Sequence, residues 1–175
     1  ITTEFRDSDK VMTGKSFVAP WQGGFGTTLT WKGISLAAQF SWVADRWVFN
    51  NDRYLDEGNG LFETYNQSSR LLYDRWKKPG DVTDIPRYGV TPQMDSRFLE
   101  DASFLRLKNL MLSYNFPQTL LKKTNFLTHL RVFAQGQNLL TFTKFSGLDP
   151  EGVSNMYQAQ YPSTRQFTFG LEVSF

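Results

Sequence analysis

The sequence predicts an all-β, antiparallel fold that forms a segment of a transmembrane β-barrel. Three observations predict it. Five segments alternate apolar and polar residues at period two, as strands with two unlike faces do. Their apolar sides are Phe, Leu, Ile, Val and Trp against sides of Thr, Ser, Gln and Gly. The connections between them alternate between short and long, which is the habit of outer-membrane barrels.

The first two strands, about 24–31 and 34–43, form the clearest hairpin. A turn at Lys32 and Gly33 sets Trp31 opposite Ile34, Leu29 opposite Leu36 and Phe25 opposite Phe40, so that turn length and apolar register agree. The third strand, about 103–116, carries Leu110, Leu112, Tyr114 and Phe116 on one face. Leu105 and Leu107 fall out of phase with them, which calls for a bulge near Lys108 and Asn109. The fourth, about 129–143, points Leu130, Val132, Ala134, Leu140 and Phe142 one way. The fifth, about 164–175, does the same with Phe167, Phe169, Leu171, Val173 and Phe175. Between the second and third lies a connection of about sixty residues, 44–102, long for a compact soluble domain. Leu61, Phe62, Tyr65, Leu72, Tyr73 and Trp76 fall near helical spacing and predict a short helix over 61–77, stopped by Pro79 and Gly80.

Composition narrows the function classes. The 175 residues contain no cysteine, which excludes disulfides and thiolate metal sites. Nineteen basic residues balance seventeen acidic ones without a basic run, so nothing points to a nucleic-acid partner. No stretch approaches a membrane helix, and the first residues show no export leader. Mean hydropathy is −0.41 although 16% of residues are aromatic, the signature of apolar residues confined to one face. Strands of roughly 9–11 residues span a bilayer. Trp31, Trp42, Tyr114, Phe116 and Phe175 stand near strand ends, where interfacial aromatics belong. The other fold with this alternation is a soluble β-sandwich, for instance a carbohydrate-binding module. Five strands do not close a membrane barrel, so the lipid reading requires neighbouring strands outside this chain.

Several ordered blocks carry a resemblance. These are PWQGGFGTTLTWKGISL from Pro20, RWKKPGDVTDIPR from Arg75, SRFLEDASFLRLKNLMLSYNFP from Ser96, LRVFAQGQNLLTFTKFSGLDPE from Leu130 and YPSTRQFTFGLEVSF from Tyr161. In them the chain resembles the SusC/RagA class of TonB-dependent outer-membrane transporters of Bacteroidetes, over nearly everything from Pro20 onward; residues 1–19 match nothing in that class. The resemblance implies the last five strands of a 22-stranded barrel, with the plug domain outside this chain. It implies that Phe167, Phe169, Leu171, Val173 and Phe175 form the C-terminal signal for barrel assembly. It places Lys32–Gly33 and 117–128 in the periplasm, and 1–23, 44–102 and 144–163 outside the cell. The implied function is active import of a large nutrient, a glycan fragment or an oligopeptide, with a SusD-like surface lipoprotein as partner and the TonB complex acting through the plug.

No catalytic constellation is legible, and no enzyme, cofactor or metal is expected. His129 is the only histidine. The glycines Gly23, Gly24 and Gly26 neither follow a strand nor open a helix, so they are not a phosphate loop. The carboxylates Asp56, Glu57, Glu100 and Asp101 lie in loops with no set separation. Asp7, Asp9, Asp149 and Glu151 are the nearest approach to calcium-ligand spacing. Candidate contact residues for substrate or partner are the loop side chains Trp47, Tyr54, Tyr65, Trp76, Arg87 and Tyr88. The stretch holding Arg75, Trp76, Asp84, Pro86 and Arg87 reads as a structural lock.

Overall fold

The computed structural model describes residues 6–62, 64–90, 92–123, 126–152 and 154–175. The expectation about an export leader therefore falls in part on residues outside the described ones. The chain divides into two compact units. One is made of Pro20–Ala44, Ser103–Lys144 and Pro162–Phe175; the other of the N-terminal stretch to Ala19, Asp45–Ala102 and Phe145–Tyr161.

The first unit is one antiparallel sheet of β1 (Trp21–Trp31), β2 (Ile34–Ala44), β5 (Phe104–Asn115), β6 (His129–Thr143) and β8 (Gln166–Ser174), in the order β1-β2-β5-β6-β8. β1 and β8 are its edges. The hairpin register is the one the sequence predicts, with Trp31 opposite Ile34 and Phe25 opposite Phe40, whose rings stack at 4.9 Å. Lys32 and Gly33 turn the chain at φ +46° and +87°, the two left-handed positions of a tight hairpin. Where β5 meets β2, Phe40 pairs with Leu107 but Gln39 with Asn109, so Lys108 is an extra residue. That one-residue bulge brings Leu105 and Leu107 onto the same face as Leu110, Leu112 and Tyr114. β6 pairs Val132 with Leu171, Ala134 with Phe169 and Gly136 with Phe167. One face of all five strands is therefore apolar, and it is largely bare: Phe167 is 67% exposed, Phe169 78% and Leu171 70%, while Leu107 on the central strand is buried.

The second unit carries a small sheet. Its central strand β3 (Trp47–Asn50) pairs antiparallel with β4 (Leu99–Asp101) and parallel with β7 (Met156–Tyr157). Val48, Ala102, Phe145 and Tyr157 form its core, with Phe17 packed against them. A one-and-a-half-turn helix, α1 (Asn51–Asp56), follows β3 directly; the Asn50 side chain caps it by accepting from the Arg53 N–H at 3.0 Å.

The helix predicted over 61–77 is a correction. Among the described residues of that range only α2 (Arg70–Tyr73) forms. Asn59 and Gly60 adopt left-handed φ of +50° and +100°, which no helix starts through. Gln67 donates its side-chain N–H to the carbonyls of Phe62 and Tyr65, replacing helical bonds with a turn. Leu72 and Tyr73, expected on the packed side, are exposed. The remaining short helix, α3 (Gln118–Leu121), lies in the connection between β5 and β6.

Candidate functional site

The sheet presents two unlike surfaces, and the polar one is built from small side chains with a few charges held in place. The Thr30 and Ser35 hydroxyls meet at 3.1 Å across β1 and β2. From β6, Arg131 donates to Ser113 Oγ on β5 (3.3 Å) and to both carboxylate oxygens of Glu172 on β8 (3.1 Å each). Toward the other strand ends, buried Arg106 donates to Thr141 Oγ1 and Ser163 Oγ, each at 3.0 Å. Gly170 leaves space for the Phe133 ring, since a Cβ there would stand 2.3 Å from it. Such a surface suits contact with water, while the opposite one is almost wholly apolar, with Thr27 and the polar tips of Trp31 and Tyr114 as exceptions.

In the loop unit a charged lock joins distant segments. Arg53 donates through Nε to Glu57 Oε1 (2.9 Å), through Nη1 to Glu100 Oε1 and the Arg97 carbonyl (3.2 Å each), and through Nη2 to Asp84 Oδ2 (2.9 Å). Arg70 reaches the same Glu57 oxygen and both oxygens of Asp84. Burial alone would raise the Asp84 carboxyl, but Arg70 and Arg53 hold it below its ordinary range. Burial also works against the charge on Arg53, and Glu57 and Glu100 outweigh it. Asp56 moves the other way: burial, then Asp52 and Glu57, raise it. Buried Asn59 donates to the carbonyls of Arg87 (2.6 Å) and Val90 (3.0 Å), and Glu100 accepts from the Ser146 N–H and hydroxyl at 2.9 Å each.

The six candidate contact residues do not converge. Trp47 donates its indole N–H to Asp45 Oδ1 (2.9 Å) and carries the Lys15 ammonium over its ring. Tyr54 sits among Phe49, Phe62 and Phe98 at ring separations of 5.4 to 6.3 Å. Trp76 is half-buried and donates its backbone N–H to the Ile85 carbonyl. Arg87 and Tyr88 are exposed, with the Arg75 guanidinium 5.4 Å from the Tyr88 ring. Tyr65 is exposed and borders a cleft of about 1020 Å³ lined also by Asp52, Asp56, Arg70, Leu148 and Tyr157. A lock does exist where the sequence suggested one, but its arginines are Arg53 and Arg70, with Asp84 the one member foreseen. Two of the Arg53 partners, Asp84 and Glu100, come from 31 and 47 residues away, a pairing that no local spacing announces. Among the described residues no three His, Cys, Asp or Glu side chains are grouped to hold a metal. Asp9 and Asp149 each accept a nearby backbone N–H, and Asp7 pairs with Lys10.

Sheet topology, strand length and a bare apolar face define an antiparallel segment of the membrane-barrel type. Comparison with known proteins agrees. TonB-dependent receptor P3 of Formosa agariphila is 33% identical over 165 residues, 87% of this chain and 16% of that protein. TonB-dependent receptor SusC of Bacteroides thetaiotaomicron is 37% identical over 87 residues, 50% of this chain and 9% of that protein. The solved RagAB peptide transporter superposes with a TM-score of 0.92 at 40% identity, covering 99% of this chain and 19% of its own. No family model matches. The chain belongs to the SusC/RagA type of TonB-dependent transporters. It spans less than a fifth of the length of the relatives it matches.

Proposed function

We propose that this chain supplies five adjacent strands and their outer loops to a closed outer-membrane barrel that imports a large nutrient by TonB-dependent active transport. The observation that carries this is the continuous apolar face across five strands, left bare in a sheet whose two edge strands each pair on one side only. A water-soluble sandwich would cover that face; lipid needs no cover. Open edges in hydrocarbon would strand backbone N–H and C=O groups at a cost of several kcal/mol each, so further strands flank β1 and β8. The polar face then borders the lumen. The strand ends at Lys32–Gly33 and α3 lie in the periplasm, and the loop unit faces outward.

The cargo is an oligopeptide or a glycan fragment. The peptide side is supported by the likeness to the RagAB peptide transporter, the glycan side by nothing in these loops beyond exposed aromatics such as Tyr65. A SusD-like lipoprotein on the outer face and TonB acting through a plug complete the assembly, and no catalytic step is assigned. The test uses the full-length transporter with single cysteines at neighbouring positions. Phe169→Cys should react only with a lipid-soluble maleimide and Thr168→Cys with a water-soluble one. Equal reaction of both with the water-soluble reagent would overturn the barrel reading. Uptake of a peptide library against a glycan panel, with and without TonB, then decides the cargo.

A further inference from the structure

The apolar face is not uniform. β6 contributes Val132 and Ala134 where its neighbours contribute Ile34, Leu112 and Tyr114 on one side and Phe169 and Leu171 on the other, leaving a groove of about 890 Å³. By register the groove occupies the first two rows above the Lys32–Gly33 turn: Ile34, Tyr114, Val132 and Leu171 align in one, and Leu36, Leu112, Ala134 and Phe169 in the next.

That end of the sheet is basic. The turn and the connection 116–128 contain Lys32, Lys122 and Lys123 and no carboxylate. Lys32 holds a backbone of φ +46°, where Asn or Gly would sit at less cost, and its ammonium lies 4.8 Å above the Trp31 ring on the apolar side. Lys122 and Lys123 are exposed. Glu172, the nearest carboxylate on the strands, is engaged by Arg131 on the opposite face. Tyr114 and Phe116 pack edge to face at 4.9 Å, and Phe126 stacks on Phe175, as aromatics do at a membrane interface.

We propose that this groove and its lysines form a binding site for one anionic phospholipid of the inner leaflet, an acyl chain lying over Ala134 and the phosphate meeting Lys32, Lys122 and Lys123. The inference rests on the barrel reading above, which turns this end toward the periplasm. Charge complementarity selects the occupant. A neutral lipid would fill the groove but gain nothing from three lysines, whereas each lysine near an anionic surface favours binding about fivefold. The groove runs from β2 to the edge strand β8, and a further strand added at that edge pairs in the plane of the sheet without covering its face, so on the barrel exterior only lipid reaches it.

The test reconstitutes the full-length transporter and measures, by native mass spectrometry, retention of phosphatidylglycerol against phosphatidylcholine of identical chains. The wild type should prefer phosphatidylglycerol by ten-fold or more. Replacing Lys32, Lys122 and Lys123 with Gln should bring the ratio to near one. Ala134→Phe, which fills the groove floor, should reduce retention of both lipids. No preference in the wild type, or a preference unchanged in the triple variant, overturns the site. Cysteine labelling at Phe169 keeps the two readings apart. A lipid-buried Phe169→Cys with no headgroup preference defeats this inference alone, and a water-exposed one defeats the barrel itself.

Discussion

Removing Arg53 should open the loop unit while leaving the strands intact. Its guanidinium serves three carboxylates and a carbonyl. Of these, Glu57 is 2% exposed and Glu100 12%, so both contacts are made largely out of water; Asp84 is 43% exposed and its contact is screened. Breaking a buried pair by deleting one partner costs about 3–5 kcal/mol, because the other charge stays buried; the exposed contact adds less than about 1 kcal/mol. Opening of the 45–102 segment should therefore become about 10²- to 10⁴-fold more frequent in Arg53→Met. Hydrogen exchange on the full-length transporter reads this directly, as faster exchange of backbone amides in β3, α1 and β4 with β5 and β6 unchanged. Arg53→Lys should recover only part, since one ammonium cannot reproduce the forked donors. Pairing Arg53→Met with Glu100→Gln should recover more by removing the charge whose counter-ion is lost, whereas Glu57 keeps Arg70. Exchange within about threefold of wild type in Arg53→Met would refute the reasoning.

Three further outcomes follow from the same geometry. Phe169→Arg should cost about 2–4 kcal/mol through its lipid-facing position and leave the barrel heat-labile on a gel-shift assay, while Thr168→Arg one residue away assembles normally. Burial would raise Asp84, but Arg70 and Arg53 hold it low. Its contribution is therefore complete above the ordinary carboxylate value of about 3.9 and lost as pH falls through the depressed one. Protease sensitivity of the loop unit should rise in that acid window, and Asp84→Asn should be weaker at neutral pH and lack that step. Asp56 is raised by burial, then by Asp52 and Glu57, so Asp56→Asn should slow exchange in α1 slightly at pH 7.

The sheet was legible in the sequence because a strand states its own period. Phe167, Phe169, Leu171 and Val173 mark one face without reference to anything else, and the Lys32–Gly33 turn fixes the register of its neighbours. Even the bulge could be found, since Leu105 and Leu107 lie out of step with Leu110 and Leu112 and only an extra residue reconciles them. The loop unit gave no such signal. Leu61, Phe62, Tyr65, Leu72 and Tyr73 keep helical spacing, yet Phe62 and Tyr65 turn toward the aromatic cluster of Tyr54 and Phe98. Its stability rests on charge pairs between residues 31 and 47 apart, and helical periodicity does not report contacts of that range.

The bulged strand allows a sharper test of the wall. Lys108 is the single residue that lets β5 change phase between Leu107 and Leu110 while both stay on the apolar side. Deleting it joins Leu107 to Asn109, so that Leu105, Leu107, Leu110, Leu112 and Tyr114 fall in strict alternation and β5 can pair regularly with β2. Arg106, Asn109 and Ser113 then stay together on the polar face, and the deletion should assemble, as should Lys108→Ala. Leu112→Arg, which sets a charge on the apolar side of the same strand at a cost of about 2–4 kcal/mol at mid-bilayer depth, should not. If Leu112→Arg instead assembled normally, the apolar side of β5 would not be bathed in lipid, and the two-faced wall would be the wrong description of this sheet.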